Sequence, residues 1–569
     1  MISKQLIDPK SIVVVGGSDD IHKPGGTVLR NLQDGNFKGS LYVVNPKMDE
    51  VQGIKAYRDV KDLPEVDCAI LAIAAKFCPS TVEVLAKQKN TKAFIILSAG
   101  FHEENEEGAK LERQIVETIN SVGGSLIGPN CIGVLTNHYS GVFTSPIPEL
   151  NPQGVDLISG SGATALFIMD SGMQKGIKFN SMYSVGNSAQ LGVEEILEYM
   201  DESFDPKTSS RVKLLYVESI EKPEKLLKHA SSLIRKGCRI AAVKSGGSAA
   251  GSRAASSHTG ALASSDVAVE ALFRKAGIVR CNGRDELMTV AGIFMHPEMK
   301  GRNMAVVTHA GGPAVMLTDA LSNGGMDVPH IEGEKAQELL GRLFAGSSVG
   351  NPIDFLATGT AEQLGYILDA CDRDFDNIDG MAVIFGSPGL FPVFDVYNVL
   401  DEKMKTSKKP IFPIFPSSKI VKDEIAEFVS KGRVYFPDEV LFGNALCKIY
   451  KTPAPQPEHF EMPDMDVKKI REVVDNAQNG YLSPDEIHAL LDAAGVARAK
   501  EGVSDNEEEI VKTAKEIGFP LVMKVVGPIH KSDVGGVVLN VSDEETVRRE
   551  FKRMMQIKEI GRASCRERV

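Results

Sequence analysis

His258 sits in Ser256-Ser257-His258-Thr259-Gly260, a stretch of small residues with Gly246, Gly247 and Gly251 upstream. Neutral imidazole is a good nucleophile near neutral pH, and a flexible Gly/Ala/Ser loop lets it accept a group at one site and deliver it at another. An ordinary exposed histidine is the other reading of this stretch taken alone. Upstream, VDLISGSGATALFIMDSG sets Ser159-Gly160-Ser161-Gly162 between an apolar run and a helical one. Free N–H groups and the positive end of a helix dipole converge at such a turn, which suits a phosphate; a tight turn with a serine cap has the same pattern. VKLLYVESI leaves Glu218 at the end of a strand-like run. A carboxylate there orients an imidazole and stabilises its phosphorylated form, or simply faces water. Far downstream, Lys524 lies in GFPLVMKVV, with His530-Lys531-Ser532-Asp533 and Gly535-Gly536 following. A lysine on a strand ahead of a glycine-containing loop suits nucleotide phosphates, and a solvated lysine is the alternative.

The elements that must position these groups alternate between β-branched apolar runs and amphipathic helices. IVVVGGSDD opens through Gly16, Gly17 and Ser18 into KPGGTVLRNL, the first turn of a nucleotide-binding βαβ unit. Strands follow at 41–45, 68–74 and 93–100, then a helix with Leu111, Ile115, Ile119 and Val122 on one face. This order implies a parallel, doubly wound sheet with its ligand at the strand ends. The second strand ends Asn45-Pro46-Lys47 where a dinucleotide site usually places Asp or Glu. Lys47 therefore favours a phosphorylated ribose, as in coenzyme A, with NAD as the alternative. A second α/β unit begins near Val155 and a third at MAVVTHAGGPAVMLTDAL. TPAPQPEHFEMPDMD reads as a linker, and Ser483 with Glu486 three residues on forms a capping box ahead of a further helix.

At 569 residues the chain needs three or four domains. A net charge of -12 with no concentrated basic tract disfavours nucleic acid. No stretch approaches a membrane span or a signal peptide, so a cytoplasmic location is expected. Eight scattered cysteines show no metal-binding spacing and read as reduced core thiols. The last residues, 559–569, change abruptly to a basic string that looks like a translated sequencing adapter, and are expected to be a non-native, structureless tail.

Taken in order, VVVGGSDD, YVVNPK, LSAGF, IGPNCIGV, SGSGA, SVGNSAQLGVEEILEYM, LYVESI, KSGGSAAGSRAASSHTGALASSD, THAGGPAVM, NPIDF, GFPLVMKVV and HKSDVGGVVLNV resemble the nucleoside-diphosphate-forming acyl-CoA synthetases, relatives of succinyl-CoA synthetase. The resemblance implies a multi-domain α/β protein. It has a Rossmann-like CoA-binding domain (1–140), a succinyl-CoA ligase-like domain with the phosphohistidine loop (150–295), a second flavodoxin-like ligase domain (300–452), a linker (453–475) and the start of an ATP-grasp domain (476–558). It implies His258 as the phosphorylated histidine, Glu218 as its acidic support and His530 as a second phosphate relay. It further implies Ser161 and Gly162 as the phosphate cradle, Gly16, Ser18 and Lys47 as the CoA turn, Asn130 in GPNC near the thiol, and Lys524 at the nucleotide phosphate. SGSG stands where the family usually has SQSG. The implied ligands are coenzyme A, ATP or ADP with Mg²⁺, phosphate and a short-chain acid, in a homo-oligomer. If the ATP-grasp domain is cut at Lys558, the chain alone binds CoA without completing nucleotide-coupled turnover. The alternative is a CoA-binding regulatory or scaffold part of a protein-acetyltransferase-like protein. The acyl group, ADP against GDP and the physiological direction stay open.

Overall fold

The computed structural model describes residues 2–35, 37–259, 265–387, 392–457, 463–526, 531–532, 534–557 and 562–567, with backbone alone at 255–259 and 562–567. The chain divides into two units, Met1–Gln456 and Pro457–Val569.

The first unit opens with β1 (Ser11–Val15), β2 (Ser40–Val44), β3 (Glu50–Val51), β4 (Ile54–Tyr57), β5 (Cys68–Leu71), β6 (Ala93–Ile96) and β7 (Ser125–Ile127), in the sheet order β3-β4-β2-β1-β5-β6-β7. All pairings are parallel except the β3–β4 hairpin. Continuous apolar runs such as Ile12–Val15 and Cys68–Leu71 are buried because helices cover both faces of a parallel sheet. The helix Glu106–Ser121 buries Ile115 and Ile119, and the Asn105 side chain caps it by accepting from the Gly108 N–H. Parallel strands put their carboxyl ends on one edge, where ligands of such sheets sit.

A second sheet follows, made of β8 (Gly133–Leu135), β9 (Ser140–Val142), β10 (Leu150–Ser159), β11 (Phe179–Ser184), β12 (Val212–Val217), β13 (Arg239–Lys244) and β14 (Val279–Cys281), ordered β14-β13-β12-β10-β11-β8-β9. Residues 133–140, expected within the first domain, instead hydrogen-bond into this sheet through Val134 opposite Tyr183 and Leu135 opposite Met182. Without them β11 would present an unpaired edge. Asn31 Nδ2 donates to the carbonyls of Val142 and Thr144, and the Tyr139 hydroxyl donates to Leu6, so the first two modules are sewn together.

The third module carries β15 (Met304–Thr308), β16 (Ile353–Asp354), β17 (Gly380–Ile384) and β18 (Ile411–Ile414) in the parallel order β16-β15-β17-β18. One hydrophobic core runs from Leu157, Met182 and Leu214 of the second module to Val306, Phe412 and Phe442 of the third.

The second unit contains β19 (Glu501–Ser504), β20 (Leu521–Val526), β21 (Val537–Val541) and β22 (Arg562–Glu567), ordered β19-β22-β20-β21 with antiparallel neighbours. The string 559–569 is therefore not wholly structureless, since 562–567 form an inner strand. A ladder is made of backbone groups, and β19 and β20 each offer an edge that an extended segment of almost any sequence satisfies. The capping box is present, with Glu486 N–H donating to Ser483 Oγ and Ser483 N–H donating to Glu486. Part of the expected linker is the helix Val467–Asn476.

Candidate active site

β13, β12 and β10 are neighbours, so the segment leading to His258, Glu218 and the Ser159–Gly162 turn leave adjacent strand ends. Ser159 Oγ donates to the Ser161 carbonyl and accepts from the Ser161 N–H, which closes the turn. Ser161 then caps the helix Gly162–Gln174, its side chain accepting from the Thr164 N–H, and no acidic residue occupies the first turn. The two readings of SGSG are both met here: serine caps the helix, and the helix start faces a cavity with its positive end unneutralised.

That cavity, of about 570 Å³, is lined by Ser161, Gly162, Glu218 and Asn130 together with Cys131 and the loop after β11. A Cβ on Gly162 would lie 2.6 Å from Ile132 Cγ2, so glycine is what lets the helix start approach the GPNC turn. Asn130 adopts a left-handed backbone, φ 57°, after the turn of Gly128 and Pro129. Burial pushes the Cys131 thiol up to about 12, and its Sγ–H points at the Ile96 carbonyl, so it is a packing group and no nucleophile. Glu218 Oε1 accepts from the Tyr216 hydroxyl at 3.4 Å.

The lining also holds residues that sequence reasoning passed over. The loop after β6 supplies His102 and Glu103, the helix Glu106–Ser121 supplies Glu112, and the loop after β11 supplies Asn187. His102 Nδ1 lies 2.7 and 2.9 Å from the two Glu112 oxygens. The hydrogen bond to Glu112 raises the His102 pKa above its ordinary value, burial opposes it, and the charges of Glu112 and Glu103 add to the rise. Burial would raise the Glu103 pKa, but hydrogen bonds from Asn187 and from the Gly100 and Phe101 N–H groups prevail and lower it. The His102, Glu103 and Glu112 donor atoms fall within 4.8 Å of one another. Glu103 is engaged by Asn187 and the Gly100 and Phe101 N–H groups, and Glu112 by His102 and Asn187, and we assign no cation to them. Titratable side chains in a loop at the carboxyl end of a parallel strand, SAGFHEE, were the available signal.

After the central strand β1 of the first sheet, Gly16 has φ +87°, and a Cβ there would sit 2.5 Å from the Ala72 carbonyl oxygen. Asn45 Nδ2 donates to Gly17, and Asn45 Oδ1 accepts from the Lys47 N–H, so Gly16, Ser18 and the exposed Lys47 belong to one turn assembly. His258 lies in the helix Ala249–Thr259, a correction to the loop expected there. Ser248 Oγ accepts from the Gly251 N–H at 3.0 Å, and the alanines that follow are strong helix formers. Lys524 sits on β20 of the second unit. His530 lies outside the described residues. Among the described residues no helix is long and apolar enough to cross a membrane.

Comparison with known proteins bears on this geometry. Residues 10–137 match a CoA binding domain, 152–294 a succinyl-CoA ligase like flavodoxin domain, and 473–564 an ATP-grasp domain. The chain is 33% identical to the acetate–CoA ligase [ADP-forming] I of Archaeoglobus fulgidus over 95% of its own length and 78% of that protein. It is 30% identical to the 4-hydroxybutyrate–CoA ligase [ADP-forming] of Nitrosopumilus maritimus, over 98% of its own length and 80% of that protein. The solved dinucleotide forming acetyl-coenzyme A synthetase 1 of Ca. Korarchaeum cryptofilum, in complex with phosphate and ADP, superposes with a TM-score of 0.71 at 26% identity, covering 79% of this chain and 96% of that one. A match to a CoA binding domain, a capped helix start that lines one cavity with a strand-end glutamate, and relatives matched over most of their length lead to one conclusion: the chain belongs to the family of ADP-forming acyl-CoA ligases.

Proposed function

We propose that this ligase interconverts acyl-CoA, ADP and phosphate with a carboxylic acid, CoA and ATP through an acyl phosphate and a phosphohistidine at His258. The observation that carries the reading is the cavity shared by the helix start at Ser161–Gly162, Glu218 and the Asn130 turn. Phosphate bound by the N–H groups of the helix Gly162–Gln174 is held for attack on the thioester carbonyl; CoA leaves and the acyl phosphate forms there. His258 takes the phosphoryl group, Glu218 stabilises the charged ring, and the carboxylic acid departs. The phosphohistidine then donates to ADP at the ATP-grasp unit, with Lys524 and His530 at the nucleotide phosphates. Division of the coupling between two sites is what a carrier histidine provides.

Mg²⁺ accompanies nucleotide phosphates at such sites with one or two carboxylates. No residue of Pro457–Val569 is assigned to it here, and no step is routed through the ion. A short-chain acid is the proposed substrate, with acetate first because the relative at 33% identity is an acetate–CoA ligase, and the 4-hydroxybutyrate–CoA ligase at 30% keeps the class at short-chain acids. A homo-oligomer in the cytoplasm completes the proposal. The regulatory alternative loses its ground, because relatives aligned over more than three quarters of their length are ligases.

The two halves of this reaction separate by mutation. With acyl phosphate and CoA supplied directly, thioester forms without a phosphohistidine. His258→Ala should therefore keep that activity and lose ATP formation from acyl-CoA, ADP and phosphate. Loss of both halves with the fold intact, or of neither, would refute the assignment.

A further inference from the structure

Resting on the reaction proposed above, we propose that His102, oriented by Glu112, is the general base that removes the thiol proton of coenzyme A during thioester formation and returns it in the reverse direction. The cavity is lined both by Ser161, Gly162 and Glu218, the phosphoryl group of residues, and by His102, Glu103 and Glu112. His102, Glu103 and Glu112 belong to the module whose residues 10–137 match a CoA binding domain, so the thiol enters beside them.

A thiol with a pKa of about 8.5 is mostly protonated at neutral pH, yet only the thiolate attacks an acyl carbon well. In this step the S–H bond breaks as the proton passes to His102 Nε2. The sulfur electron pair forms the C–S bond, and the tetrahedral adduct collapses with cleavage of the bond from acyl carbon to phosphate oxygen. Inorganic phosphate is left at the helix start of Gly162, and the imidazolium is left beside Glu112. No oxidant or further reactant is involved.

Three of the other carboxylates lining the cavity have partners of their own. Glu103 takes N–H bonds from Gly100 and Phe101 and the amide of Asn187, and it is held as a carboxylate of lowered pKa. Glu194 accepts from the N–H groups of Glu221 and Lys222 at 2.9 and 3.1 Å. Glu218 lies on the phosphoryl side with the Tyr216 hydroxyl. His102 has Nδ1 pinned by Glu112, and Glu112 is itself fixed by a 3.2 Å bond from Asn187. Its Nε2 makes no hydrogen bond among the described residues, and the side chain keeps 30% of its exposure, so a thiol can reach it. A carboxylate on one ring nitrogen and a free acceptor on the other is the arrangement of a general base. The charged groups beside the ring are Glu112 from its helix and Glu103 from its own loop, and Glu194, Glu218 and Glu221 line the same cavity. All are carboxylates and favour the imidazolium formed in the step. Glu112 acts through His102 and is a positioning residue.

The test uses the full chain with acetyl phosphate and butyryl phosphate as probes, following thioester formation with CoA across pH. In parallel, labelled acyl phosphate reports phosphoryl transfer to the protein, a step without a thiol. His102→Gln should slow thioester formation on the order of 10²-fold at neutral pH. It should also abolish the acidic limb of the pH profile, approach the parent rate as the thiol ionises at high pH, and leave protein labelling unchanged. Glu112→Gln should move the acidic limb to lower pH. A His102→Gln chain with the parent rate and profile overturns the proposal. So does one that loses labelling together with thioester formation, which marks a structural role. A parent chain that neither labels nor forms thioester refutes the underlying reaction itself.

Discussion

Substitution of Gly162 by alanine tests whether the helix start holds the reacting phosphate. The added Cβ would lie 2.6 Å from Ile132 Cγ2, roughly 0.8 Å inside the 3.4 Å at which ordinary contact begins. Ile132 cannot easily yield. It is 6% exposed, is β-branched, and its N–H donates to Ser184 Oγ at 3.2 Å. The helix start must move by most of an ångström or the GPNC turn must. Overpacking of this kind costs about 1–3 kcal/mol of stability. A displacement of that size at a binding group costs on the order of 10²-fold in rate. We therefore expect Gly162→Ala to lower thioester formation from acyl phosphate and CoA about 10²-fold while the chain stays folded. Ile132→Ala in the same chain removes the clashing methyl and should restore at least about tenfold, a coupling of roughly 1.4 kcal/mol. The assay is the initial rate of thioester formation for the parent, both single variants and the double variant. A parent-like rate for Gly162→Ala, or no recovery in the double variant, would refute the placement of phosphate at this helix start.

Other consequences are as direct. Cys131→Ser should keep activity, and the native thiol should resist alkylation at pH 8 under folded conditions, because burial lifts it to about 12. Lys213 and Asp156 form a buried ion pair with side chains 3% and 4% exposed, so Lys213→Met should cost about 3–5 kcal/mol of unfolding free energy in denaturant titration. His296 is buried between Phe412 and Phe436, with its pKa lowered by burial from 6.5 to about 4. The unfolded chain then binds more protons between those values. Stability is present above pH 6.5, and about 3 kcal/mol of it is lost as pH falls through that window. His296→Phe should flatten this acid limb, as measured by urea unfolding at several pH values. Gly16→Ala, which combines φ +87° with a Cβ 2.5 Å from the Ala72 carbonyl oxygen, should weaken CoA binding in calorimetry at least about tenfold.

Much of this arrangement was legible in the residues. Apolar β-branched runs ending in glycine mark buried parallel strands, and neighbouring strands β10, β12 and β13 bring Ser161 and the Glu218 position to one edge as their order in the chain implied. The Ser483 capping box was equally readable, because a cap is a local bond between residues three apart. What stayed hidden is non-local. His102, Glu112 and Asn187 meet only once a loop, a helix and a second module fold together, and no spacing announces a contact across 75 residues such as that of Asn187 with Glu112. The second sheet claims 133–142 because an open edge needs a partner, which composition does not show. Residues 562–567 read as an unstructured string because backbone pairing leaves little trace in side-chain pattern. The stretch ahead of His258 read as a loop because its glycines outweighed the alanines that make Ala249–Thr259 helical.

The central claim is that His258 carries the phosphoryl group. Incubation of the full chain with acyl [³²P]phosphate, followed by peptide mapping of an acid-labile, alkali-stable label, tests it most directly. The account predicts label on the His258 peptide of the parent and none in His258→Ala. Undiminished labelling of His258→Ala, or label mapped to another residue, would contradict it.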